Sequence, residues 1–122
     1  MKIAIAASGK TLESQIDPRF GRCPYFLIVD SETAKFEVAE NQAQQAFQGA
    51  GVTAAQTLAN REIKAVIAGN FGPNALTVLK AAGIKVFSGV SGMTAQQALA
   101  QFKGGKLSEL MTTSVSGGGG RG

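Results

Sequence analysis

The chain has 122 residues, about one ordinary domain, and 44% of them are apolar, enough for a real core. Only 16% are charged and the net charge is +4, which excludes an intrinsically disordered chain. Lys and Arg never gather into a run interleaved with aromatics, so the basic excess reads as a shortage of acids and argues against a nucleic-acid partner.

Taken in chain order, Ile3 to Ala7 is a short apolar run closed by Ser8-Gly9, the pattern of a strand buried on both faces. It stops far too early for a membrane span or signal helix, so no membrane association is expected. Tyr25 to Val29 forms a second run, followed by turn-prone Asp30-Ser31-Glu32-Thr33. Phe36 to Glu40 then alternates like a half-exposed strand, which makes a hairpin. Val52, Ala55, Leu58 and Ala59 stand at helical spacing, and Lys64 to Gly69 returns to a buried strand. Pro73 suits a first helical position, Ala75, Leu76, Leu79 and Ala82 give that helix an apolar face, and Gly83 stops it. Lys85-Val86-Phe87 is a fifth strand. Thr94-Ala95-Gln96-Gln97 reads as a capping box opening a helix that ends at Gly104-Gly105. Leu107 to Met111 is expected to dock, giving one domain over residues 1–113 and a disordered glycine-rich tail over 114–122.

The order β-β-β-α-β-α-β-α, with antiparallel early strands and right-handed parallel crossovers later, predicts a five-stranded mixed sheet ordered 3-2-1-4-5. Helices on both faces make it a three-layer α/β fold of ribonuclease H-like arrangement. Ligands of such sheets bind outside the carboxyl ends of the parallel strands. That edge collects Lys10 from the first connection and Arg19, Phe20, Gly21, Arg22 and Cys23 before the second strand. The segment around Gln48, then Asn70, Phe71 and Gly72, and then Ser91 and Gly92 join them. The candidate site is therefore a basic, glycine-rich rim, with Lys10, Arg19 and Arg22 facing an anion and helix starts at Gly72-Pro73 and Gly92 to Thr94 offering backbone N–H groups. No Walker or dinucleotide glycine motif is present.

The chain has no histidine, and Cys23 is its single cysteine. An internal disulfide is impossible, so the expected compartment is the cytoplasm. Cys23 has two readings: a thiolate helped by Arg19 and Arg22 that ligates a metal centre, or a small buried residue at a strand start. One cysteine cannot hold an iron–sulfur cluster alone, so a metal role requires a second ligand, a dimer, or a cluster with ligands of its own. Nuclease chemistry requires convergent carboxylates. The first and fourth strands carry none, and Asp30, Glu32, Glu37 and Glu40 belong to the hairpin. Dyads that use histidine are impossible. The expectation is a protein that is not an enzyme.

The stretch Asp17-Pro18-Arg19-Phe20-Gly21-Arg22-Cys23-Pro24-Tyr25-Phe26 resembles the signature of the dinitrogenase iron-molybdenum cofactor-biosynthesis domain family. The resemblance extends to the opening Met1-Lys2-Ile3-Ala4-Ile5, to Gly49-Ala50-Gly51, and to Gly69-Asn70-Phe71-Gly72-Pro73-Asn74, spanning roughly residues 1 to 110. It implies a ribonuclease H-like fold without nuclease activity, and binding or carriage of iron-molybdenum cofactor or an iron–sulfur precursor cluster. Cofactor-handling members commonly place a histidine just before the Gly-Ala-Gly segment, where this chain has Gln48, a poorer ligand for a soft metal. The resemblance favours a non-catalytic carrier or scaffold for an anionic metallocluster. The missing histidine and missing second cysteine favour a small-anion module, or an adaptor docking a cluster-assembly protein. The oligomeric state is left open.

Overall fold

The computed structural model describes residues 1–111, so the expected tail over 114–122 lies outside the described residues. The elements are β1 (Lys2–Ala7), β2 (Tyr25–Asp30), β3 (Phe36–Glu40), a single 3₁₀ turn (Gln42–Gln45), α1 (Ala50–Asn60), β4 (Ala65–Ile67), α2 (Pro73–Ala81), β5 (Lys85–Phe87) and α3 (Ala95–Lys103). The sheet runs β3-β2-β1-β4-β5, with β2 antiparallel to both neighbours and β4 parallel to β1 and β5.

Each strand divides its side chains between two cores, as the period of two requires. Ala4, Ala6, Phe26, Ile28, Val66 and Val86 pack against α1 and α2. Ile3, Ile5, Leu27, Val29, Ala65 and Ile67 pack on the opposite face, which α3 covers. The β2–β3 turn closes on the Asp30 carboxylate, whose Oδ1 accepts from Glu32 N at 2.8 Å. The Leu107 to Met111 segment docks as expected: Leu110 N donates to Val86 O at 2.7 Å, and Glu109 pairs with Lys80 at 3.0 Å. This contact covers the outer edge of β5.

One strand is more exposed than its alternation predicts. Phe36 and Val38, at 39% and 38% exposure, lie on the α3 side of edge strand β3. The register pairs them with Val29 and Leu27, so they share the face that α3 covers farther in, over β1.

Candidate functional site

The strand ends form one edge, but the sheet divides that edge into two sides. The connection after β1 crosses it. Asp17 N donates to Ala6 O and Gly69 N to Asp17 O, while Phe20 N donates to Asn70 O. These bonds lay residues 16–20 along the ends of β1 and β4. Gly69 permits the approach, because a Cβ there would stand 2.6 Å from the Pro18 Cα. Just beyond, Gly21 abuts the start of α1 so closely that a Cβ would meet Gly51 N at 2.6 Å. Gly51 in turn brings α1 against α2, its missing Cβ lying 3.1 Å from that of Ala75.

These close approaches enclose a cavity of about 540 Å³, lined by residues 18–22, 49–52 and 70–75. Its size falls within the about 300–1,000 Å³ usual for small-ligand sites. The floor is aromatic: Phe20, buried to 2% exposure, stacks at 5.0 Å on Phe71 and at 5.4 Å on Phe26. The polar groups are cationic or neutral. Arg19 is held by Asp17, whose Oδ1 accepts from Arg19 N at 2.8 Å and faces its Nε at 3.5 Å, while the Arg19 side chain stays 65% exposed. Arg22, Asn70 and Asn74 also line the cavity, and no acidic side chain does.

Two helices begin in the cavity wall, and both have a glycine N-cap with no side-chain cap: Gly49 for α1 and Gly72 for α2. Their first-turn N–H groups lack the intrahelical acceptors that later residues have, and the helix dipole gives these ends positive character. The α3 start differs. Thr94 Oγ1 accepts from Gln97 N at 3.1 Å and Gln97 Oε1 accepts from Thr94 N at 2.9 Å, while Ala95 N and Gln96 N donate to the Ser14 and Leu12 carbonyls at 2.8 Å, so this end is satisfied within the protein. Of the helix starts expected to face an anion, the one at Gly92 to Thr94 is thus self-capped.

The sequence-derived candidates divide accordingly. Arg19, Phe20, Gly21, Arg22, Asn70, Phe71 and Gly72 come together at the cavity. Lys10 does not; its Nζ lies 5.5 Å from the Tyr25 ring centroid. Ser91 and Gly92 are exposed in the β5–α3 turn, away from the cavity lining. Gln48 is exposed one residue before the wall residue Gly49. The wall residues missed as site residues are Pro18, Gly49, Ala50, Gly51, Val52, Pro73, Asn74 and Ala75. The spaced glycines, which allow backbone to meet backbone, were the available signal.

The geometry goes against a Cys23 thiolate helped by Arg19 and Arg22. Cys23 has no exposed surface and is outside the cavity lining; its Sγ donates to Phe20 O at 3.3 Å and accepts from Asn41 Nδ2 at 3.8 Å. Burial pushes the thiol up from 9.0 to about 12, and the Asp17 carboxylate adds to the rise. Arg22 is occupied elsewhere, its Nη1 donating to Gln44 O at 2.9 Å and Ala46 O at 2.6 Å. Among the described residues, no three His, Cys, Asp or Glu side chains are close enough to hold a metal ion. None of the residues lining the cavity is His, Cys, Asp or Glu.

The dinitrogenase iron-molybdenum cofactor family model matches residues 1–105. The chain belongs to this family. It is 38% identical to an uncharacterized protein of Methanocaldococcus jannaschii over 90 residues, 71% of this chain and 73% of that one. It superposes on the apo form of the orange protein from Desulfovibrio gigas with a TM-score of 0.88 and 38% identity, covering 91% of this chain and 93% of that one. A solution structure of a NifB-type protein from Thermotoga, assigned to the DUF35 family, gives a TM-score of 0.79 at 41% identity, with 91% and 94% covered. The α/β fold read from the topology is the fold of these two solved structures. No described helix is long and apolar enough to cross a membrane.

Proposed function

We propose that the protein is a non-catalytic carrier for an anionic metallocluster, held in the α1–α2 cavity without a bond from protein to metal. The cluster is cargo, an iron-molybdenum cofactor-like or iron–sulfur precursor species bearing its own sulfur ligands. The observation that carries the reading is the convergence of two uncapped helix starts and Arg19 on a cavity with an aromatic floor. The same N–H groups and guanidinium would meet phosphate, but a hard, strongly hydrated anion loses more hydration free energy against Phe20 and Phe71. A large, polarisable, sulfur-rich anion loses less, and its charge is met by backbone N–H groups and the guanidinium. Family membership supports a metallocluster as the cargo class.

The test is anaerobic titration with tetrathiomolybdate, with molybdate and phosphate as hard-anion controls, following comigration of metal with protein by gel filtration. Stoichiometric retention of the thiometallate, and of neither control, is expected, and Cys23→Ala is expected to retain it equally. Equal retention of phosphate would favour the plain small-anion module. Retention lost in Cys23→Ala would restore the thiolate reading.

A further inference from the structure

Phe47 is 96% exposed, a phenyl ring standing in water beside a cavity with an aromatic floor. Only Gln48 separates it from the wall residue Gly49, so its Cα lies within about 7 Å of the wall's. Burying the ring over the mouth would remove apolar surface from water both in the ring and in Phe71 beneath it. Hydrogen bonds hold the ring back. Arg22, itself a cavity-lining residue, clasps the Gln44 and Ala46 carbonyls through Nη1 at 2.9 and 2.6 Å, and Asn41 Oδ1 pins Ala43 N at 3.1 Å. At the other end Gly49 has φ +76°, and no atom lies within 4 Å of where its Cβ would be. The segment 44–49 is thus fastened at one end by the guanidinium of the cavity-lining Arg22 and jointed at the other by a glycine.

We infer that residues 44–49 form a ligand-operated lid, an inference that rests on the anion-binding reading of the cavity. An anion entering the cavity competes with two neutral carbonyls for the Arg22 guanidinium, and a charged acceptor is the stronger one. The released segment turns at Gly49 and lays Phe47 over the mouth, trading the two carbonyl bonds for apolar contact and for exclusion of water from the cargo. The consequence is kinetic: the lid slows release, while entry takes place through the open form.

The test measures tetrathiomolybdate binding and release by stopped flow for the wild type, Phe47→Ala and Phe47→Leu, and maps chymotrypsin cleavage after Phe47 by mass spectrometry. Phe47→Ala is expected to release the anion about tenfold faster with an unchanged association rate, the scale of one buried aromatic side chain. Phe47→Leu should recover most of the slow release. Cleavage after Phe47 should be rapid in the free protein and suppressed at saturating tetrathiomolybdate. Release from Phe47→Ala at the wild-type rate, or cleavage equally fast in free and loaded protein, would overturn the lid while leaving the cavity reading intact. A wild type that binds no tetrathiomolybdate would remove the cavity reading, and the lid with it.

Discussion

At the scale of single residues, the reactivity of Cys23 distinguishes a metal ligand from a packed thiol. With no exposed surface and its proton held to the Phe20 carbonyl, native Cys23 is expected to resist iodoacetamide at neutral pH and to react only after unfolding. Alkylation at the rate of an unfolded control would contradict its placement. The same burial predicts a pH dependence. The folded thiol holds its proton to about 12, whereas its ordinary value is 9.0. Between those values the native state binds more protons than the unfolded state, so Cys23 stabilises fully below about pH 9 and progressively less above it. The loss approaches about 1.4 kcal/mol per pH unit. Urea melts of the wild type and Cys23→Ala should show a stability difference that shrinks through this window, and a constant difference would refute the assignment. Arg19→Ala, which removes an exposed guanidinium beside the cavity, should weaken thiometallate binding about two- to fivefold at low salt and less at high salt.

Among the elements, the decisive contrast lies between the glycine N-caps of α1 and α2 and the capping box of α3. Thr94→Ala should cost about 1 kcal/mol of stability and leave anion binding unchanged, because that helix start lies outside the cavity lining and its N–H groups are taken by its own cap and by the Leu12 and Ser14 carbonyls. Gly21→Ala should cost about 1–3 kcal/mol, since the new Cβ would collide with the backbone of Gly51 and push the 18–22 segment from α1. It should also weaken binding by opening the cavity wall. Thermal melts paired with gel-filtration retention check both variants. Unchanged binding in Gly21→Ala would mean that the cavity wall is not part of the site. The capping box was legible in Thr94 and Gln97 because capping is local chemistry. The closeness of Gly21 to Gly51 was not, since 30 residues separate them and a glycine carries no mark of what it touches.

Across the whole molecule, the topology was readable because apolar runs, the hairpin turn and right-handed crossovers leave few ways to order five strands. The run Ile3 to Ala7, the Asp30 turn and Pro73 each carried their signal in a few adjacent residues. What the sequence left undivided was the rim. Strand periodicity says that alternate side chains face opposite ways, but it does not say which face α3 covers, because no strand follows α3 in the described fold to fix the handedness of a return. Lys10, Ser91 and Gly92 were therefore grouped with Arg19 and Asn70, although the cavity gathers only the latter pair. Cys23 was ambiguous for a related reason: one residue at a strand start has no period by which to read its burial. The most direct test of the central claim is an amide chemical-shift map of the protein titrated anaerobically with tetrathiomolybdate. The account predicts shifts concentrated at residues 18–22, 44–52 and 70–75, with residues 8–15 and 88–95 unmoved. Shifts centred instead on Lys10 and on Ser91 to Thr94 would contradict it.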